Sequence, residues 1–307
     1  MTKTRLVITL WLVASSTHAQ AVRVNKAIEL LSSGQPVYYT TSRGGYEDGK
    51  ALATTWADYI NYDLEHGAFD MTRLRAFMRG LVDGGPTASG HRTPAVIVTL
   101  PALGIDEVSV RANHWMIHQV LAAGVHGVLL CHARTHGAAR AFVEATRYPF
   151  HEGALGEGLG EGLRGSGSQV FASEIWGITG RDYLRVADPW PLNPDGELLL
   201  GLKIEDRHAL EQAESSVSVP GIGFAEWGPG DMAFSFGFTD GPSAREAVMQ
   251  DARTRVLEAT KTAGIAFLNA VTPDDVIRML DDGVMIGAGG REAAEAGRRH
   301  TRRRMPW

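Results

Sequence analysis

A chain of 307 residues with 44% apolar and 21% charged side chains can bury a full core and falls in the size range of a single α/β barrel. Its net charge of −5 and pI near 6.1 leave no basic footprint for a nucleic acid apart from the short run between Gly297 and Trp307, which is expected to be a solvated helix end or part of a subunit contact. One cysteine, Cys131, excludes an internal disulfide framework and any cysteine-rich zinc site, and is expected to be a buried, inert thiol.

At the N-terminus Lys3 and Arg5 precede an apolar run over residues 6–14 and then a polar stretch ending in Ala19-Gln20-Ala21. That order is the plan of a secretory signal, and the run is too short to span a bilayer. Residues 1–21 are therefore expected to be a signal peptide and 22–307 a single domain, periplasmic or secreted. The alternative is a cytoplasmic chain with an uncleaved tail. No other stretch is long and apolar enough to be a transmembrane helix.

A short helical pattern over residues 25–31 leads to a β-branched and aromatic run at 37–41, the first strand. Helical pattern at 47–56, strand at 59–63, amphipathic helix at 72–82 and a turn-rich loop at 83–90 follow. A third strand at 95–101 stops at Pro101. Helix at 113–123, strand at 127–131 and helix at 137–146 complete the fourth unit.

The alternation then breaks. Residues 152–168 are so rich in glycine that they form no packed element and must be a loop, mobile or draped over the surface. Their GxGxxG match, Gly160 to Gly165, has no preceding strand and opens no helix, so it lacks the scaffold of a phosphate cradle. An accessory helix is expected at 173–186. Strands at 198–204, 221–226, 265–269 and 284–287, with helices at 243–263, 273–280 and after 287, bring the count to eight strands. The expected fold is a (β/α)₈ TIM barrel with a Gly-rich insertion after the fourth βα unit. Near-continuous apolar strands agree with a parallel sheet covered on both faces, and a doubly wound open sheet is the alternative.

In such a barrel the polar residues at strand C-termini face the active site. Asp63, His66, Thr99, Glu205 and Asp231 stand at those ends, and the period of two puts Lys203 on the same face as Glu205, one pleat deeper. Neighbouring strands lie about 4.8 Å apart, so Glu205 and Asp231, ending successive strands, can share one cation. Singly, each would be read as a helix cap, and the paired spacing favours a metal. All-oxygen protein ligands suit Mg²⁺ or Mn²⁺, with Co²⁺ or Zn²⁺ as further options. His132 and Arg134 follow the fourth strand and could reach the mouth or serve the surface.

Asp63-Leu64-Glu65-His66, the tract from Ala145 to Pro149 with Arg164-Gly165 downstream, Lys203-Ile204-Glu205 and Gly228-Pro229-Gly230-Asp231, in that order, resemble the signatures of the HpcH/HpaI aldolase family across residues 25–289. The resemblance implies a divalent-metal, pyruvate-dependent class II aldolase that cleaves or forms a carbon–carbon bond in a 4-hydroxy-2-oxo acid, giving pyruvate or a related 2-oxo acid and an aldehyde. It implies metal ligation by Glu205 and Asp231, a base at His66 oriented by Asp63, substrate-carboxylate contacts from the backbone of Gly228 and Gly230, and a homo-oligomer, a hexamer in the family. Related enolate chemistry of the citrate-lyase kind, or metal and 2-oxo-acid binding without turnover, are the alternatives. Where the family carries an arginine before the proline ending the third strand, this chain has Thr99. Where it carries a glutamine before the metal glutamate, this chain has Lys203, expected to supply the missing positive charge or merely to neutralise Asp63 or Glu205.

Overall fold

The computed structural model describes residues 23–240 and 247–307; the expected signal peptide lies outside them. Among the described residues there are nine parallel strands: β1 (Val37–Ser42), β2 (Tyr59–Asp63), β3 (Ala95–Thr99), β4 (Gly127–Leu130), β5 (Pro189–Trp190), β6 (Leu198–Ile204), β7 (Phe224–Trp227), β8 (Ala266–Ala270) and β9 (Val284–Ala288). Eight of them close into a barrel, because β4 pairs with β6 and β9 pairs with β1. The two residues of β5 pair with Leu198 and Leu199 at the foot of β6, and β7 takes over that edge from Gly201 upward. β4 and β6 are buried at every position, as strands lined by barrel interior on one side and helices on the other must be.

The helix Lys26–Ser32 plugs the N-terminal end of this barrel. Its cap residue Asn25 accepts the N–H groups of Ala27 and Ile28, while its own amide donates to the carbonyls of His126 and Glu197, just before β4 and β6. One side chain thus starts the helix, a contribution of about 1 kcal/mol, and ties it to two strand feet. Ile28 and Leu30 of this helix, with Ile97, Leu129, Leu199, Phe224 and Ile286, form a separate apolar layer inside the barrel. The larger core lies between strands and outer helices.

Three expectations are corrected. The accessory helix expected at 173–186 is two helices, Gln169–Trp176 and Gly180–Val186, broken where Gly177 adopts φ 69° and closes the first. The sixth expected strand begins at Phe224, three residues late, since Gly221, at φ 97°, still belongs to the turn that leads into it. The arginine-rich end is no solvated tail: Arg298 and Arg303 are buried, and both pair with Asp58 at the start of β2.

The Gly-rich insertion is draped over the structure. Gly160 N–H donates to the Glu144 carboxylate at 2.7 Å, and Leu159 and Arg164 are buried. The Arg164 guanidinium lies 4.2 Å from the Tyr148 ring centre and donates to Tyr183, while Arg147 pairs with Asp188. Both arginines of the 145–165 signature therefore hold the insertion in place.

Candidate metal centre and active site

The C-terminal ends of β2, β4, β6 and β7 converge on four side chains. Glu65, His132, Glu205 and Asp231 each offer a ligand atom, all within 4.8 Å of one another. Glu205, directly after β6, is wholly buried. Its Oε1 accepts the His132 N–H at 2.8 Å, and His132 holds a left-handed φ of 50° to present it. Backbone of this kind is uncommon outside glycine and persists where the surroundings dictate it.

His132 is oriented by Asp206. Its Nδ1 lies 2.8 Å from Asp206 Oδ2, which also accepts Arg134 Nε at 2.8 Å, and Asp206 Oδ1 caps the helix Arg207–Glu211. The helix cap is thus Asp206, leaving Glu205 free to face inward. The Asp206 hydrogen bond raises the imidazole pKa against the effect of burial, with Glu205 and Asp231 acting in the same sense. Burial pushes the Asp206 carboxyl up, but its bonds from His132, Ala209 and Arg134 hold it well below the usual carboxylate range. With Nδ1 committed, Nε2 is the nitrogen facing Glu205, at 3.8 Å from Oε1.

Lys203 enters from β6 one pleat below. Its ammonium lies 2.6 Å from Glu65 Oε2 and 2.7 Å from Glu205 Oε2, and its strand neighbour across the ladder is Glu226. Lys203 therefore neutralises Glu205 and Glu65, not Asp63. Burial pushes the Glu205 carboxyl up to about 7 against the pull of Lys203; burial does the same to Glu226, helped by Glu205 and Glu65. One ammonium does not satisfy three neighbouring carboxylates. Burial alone would lower the Lys203 pKa, but the acidic surroundings, Cys131 with Glu205 and Glu226, hold it high and keep the ammonium charged.

This donor set fits a divalent cation. Three carboxylates and one imidazole with a fixed tautomer are ligands for Mg²⁺, Mn²⁺, Co²⁺ or Zn²⁺. The buried Glu205 Oε2 accepts no hydrogen bond of good angle and is held only by charge.

Beside it lies the pair expected from the sequence. Asp63 Oδ1 accepts the N–H groups of Glu65 and His66, and His66 Nδ1 stands 3.2 Å from Oδ2, so the half-exposed ring turns Nε2 outward. Arg43, directly after β1, clamps the same carboxylate at 2.9 Å through Nε. Burial acts to raise the Asp63 pKa, and the His66 and Arg43 bonds overcome it and lower it. Asp63, Glu65 and His66 also form a second close group.

Thr99 is buried at the end of β3, where its hydroxyl donates to Asn61 at 2.6 Å. The expectation for Gly228 is corrected: its N–H donates to the Ile204 carbonyl and is not free for a substrate. Its role is steric. A Cβ at Gly228 would lie 2.5 Å from Glu205 Cβ, so only glycine lets the turn pass beside Glu205, whereas Gly230 has open space around it. Asp231 sits in the first turn of Pro229–Ser235, whose cap is Gly228.

Sequence reasoning singled out neither Glu65 nor Glu226, and left His132 undecided. Glu65 lay inside a quoted motif, and Glu226 pairs in register with Lys203; the same strand-end filter applied to every acid would have found both.

A profile of the family described as HpcH/HpaI aldolase/citrate lyase matches residues 50–296. A hydroxypyruvate/pyruvate aldolase of Cupriavidus necator is 32% identical over 242 residues, 78% of this chain and 75% of its own. Another of Roseovarius nubinhibens is 27% identical over 226 residues, 73% of this chain and 74% of its own. A 2-keto-3-deoxy-L-rhamnonate aldolase of Klebsiella pneumoniae is 32% identical over 158 residues, 50% of this chain and 52% of its own. A solved HpcH/HpaI aldolase/citrate lyase family protein from Burkholderia cenocepacia shares the fold, with a TM-score of 0.68 at 24% identity over 90% of this chain and 95% of that one.

Proposed function

Because the chain belongs to the HpcH/HpaI aldolase/citrate lyase family and is a carbon–carbon lyase of the aldolase type, we propose that it cleaves or forms a 4-hydroxy-2-oxo acid, with pyruvate or a related 2-oxo acid and an aldehyde on the other side of the reaction. The observation that carries this reading is the four-ligand cluster at the barrel mouth with the Asp63–His66 pair beside it. Glu205 and Asp231 hold a divalent metal, Mg²⁺ or Mn²⁺ first, and Glu65 and His132 are within reach to join them. When bound, that cation supplies Lewis-acid stabilisation of oxygen charge.

In cleavage His66 takes the proton of the substrate 4-hydroxyl at Nε2 while Asp63 fixes Nδ1–H. The bond between C3 and C4 breaks, the aldehyde leaves, and the electron pair passes into the enolate of the 2-oxo acid, which is then protonated at C3. Lys203 places a positive charge beside the oxygen that becomes negative, from β6 instead of from β3, where Thr99 has none. The N–H groups of Gly230 and Asp231, at the open start of their helix, face the substrate carboxylate.

Pyruvate release over a panel of 4-hydroxy-2-oxo acids, after chelation and with Mg²⁺ or Mn²⁺ restored, tests the reading. Metal-dependent release from at least one member is expected, and none from any member with either ion would overturn it. Export is likewise proposed, and the mass of the mature protein checks it: loss of residues 1–21 is expected, and an intact N-terminus would refute it.

A further inference from the structure

The opposite end of the barrel holds a second concentration of charge, independent of the aldolase reading. Asp58, wholly buried, is contacted by three buried cations: Lys26 at 3.2 Å, Arg298 at 3.1 Å and Arg303 at 2.7 Å. One carboxylate cannot balance three cations in a medium where unpaired charge is costly. The donors record the imbalance. Among the described residues, Nε and Nη2 of Arg303, and Nε and Nη1 of Arg298, are buried with no hydrogen-bond partner, although Arg303 Nη1 binds both oxygens of Asp58. Arg303, 7% exposed, lines a cavity of about 620 Å³ between the plugging helix and the residues after the last helix. Arg23, Arg302 and Arg304 line it too, with Glu29 as the one acid of its walls among the described residues.

We propose that this basal cavity binds a small phosphate-bearing anion, Arg303 and its neighbours receiving the phosphate. Arg303 lines the cavity while its two unused N–H groups lie buried just behind that wall, so a tetrahedral oxyanion that draws the guanidinium toward it gains donors that Asp58 leaves over and offsets part of the excess positive charge there. The volume lies within the range of small-ligand sites, enough for a phosphate with a short organic body. Its walls come from the plugging helix and the residues after the last helix, so occupancy stiffens the closure of the barrel floor without touching the mouth.

The test is calorimetric titration and thermal unfolding of the full chain with inorganic phosphate and with glycerol phosphate, against sodium chloride at equal ionic strength. One phosphate-bearing molecule per chain is expected, with a melting point that rises with either probe and not with chloride. Tighter binding of glycerol phosphate than of phosphate identifies an organic monoester as the ligand class, and equal binding identifies the free anion. Arg303→Gln should abolish binding. Because that change also removes an Asp58 partner, Arg302→Gln/Arg304→Gln is the companion; it spares the Asp58 contacts and should weaken binding at least tenfold with pyruvate release unchanged. Binding no stronger than chloride's, binding displaced by pyruvate, or binding that survives the double substitution at full strength would each overturn the proposal.

Discussion

Lys203 sets the charge of the mouth in the absence of a cation, because its ammonium lies between two of the four candidate ligands. Replacing Glu205 with Gln or Asp231 with Asn removes a charged ligand without removing volume. Either change should abolish Mn²⁺ binding in calorimetry while the circular dichroism of the barrel is retained; wild-type affinity in Asp231→Asn would place the metal elsewhere. Lys203→Met should leave metal binding intact and slow solvent-deuterium exchange into pyruvate by about 10²–10³, the usual cost of losing one donor to a developing oxyanion. An unchanged exchange rate would leave Lys203 as a neutraliser of Glu65 and Glu205 and nothing more. His66→Ala should lose about 10²–10⁴ in turnover with metal affinity unaltered, the scale of a positioned base; equal turnover would remove His66 from the mechanism. These residues were legible because strand ends and period-two faces follow directly from the chain. Asp206 was not, since its work is done on a histidine 74 positions away, and no local spacing encodes that pairing.

At the scale of elements, the turn between β7 and the helix Pro229–Ser235 carries a sharp asymmetry. Gly228→Ala would drive a methyl group into the Glu205 side chain, whereas Gly230→Ala meets open space and keeps its N–H. The first should cost most of the metal affinity and activity, and the second should change metal affinity less than about threefold. Comparable metal affinities for the two variants would show that the turn yields and that Glu205 is not fixed by it. All eight barrel strands could be read because each is an apolar run between helical patterns, and their bounds shift by at most three residues at either end. The break at Gly177 was missed because an isolated glycine in an apolar pattern is compatible with a continuing helix. Arg298 and Arg303 were misplaced for a different reason. A basic run next to a chain end reads as solvent-facing, and only the fold brings Asp58 to meet it.

For the molecule as a whole, pH should act through the floor as well as the mouth. Glu197, 6% exposed, is raised to about 7 chiefly by burial, against the Asn25 N–H and Arg23 that favour its charged form. A carboxyl raised in the folded state binds its proton more tightly than in the unfolded chain, so its contribution to stability falls as pH climbs from about 4.5 to 7 and stays low above that. Glu197→Gln should therefore gain stability relative to the parent across that window, by up to about 3 kcal/mol; a constant difference from pH 4.5 to 8 would contradict the shift. A homo-oligomer is proposed from the family resemblance, and light scattering at micromolar concentration should give a mass above one chain, a monomeric mass ruling it out. The clamp on Asp58 reaches further, into synthesis. Its partners Arg298 and Arg303 lie up to 245 positions along the chain, so a nascent polypeptide has made Lys26, Asp58 and most strands long before the floor can lock. Until β9 has been made, β1 lacks its partner and the emerging sheet keeps an open edge, so late translation is the interval in which this barrel most needs protection from edge-to-edge pairing.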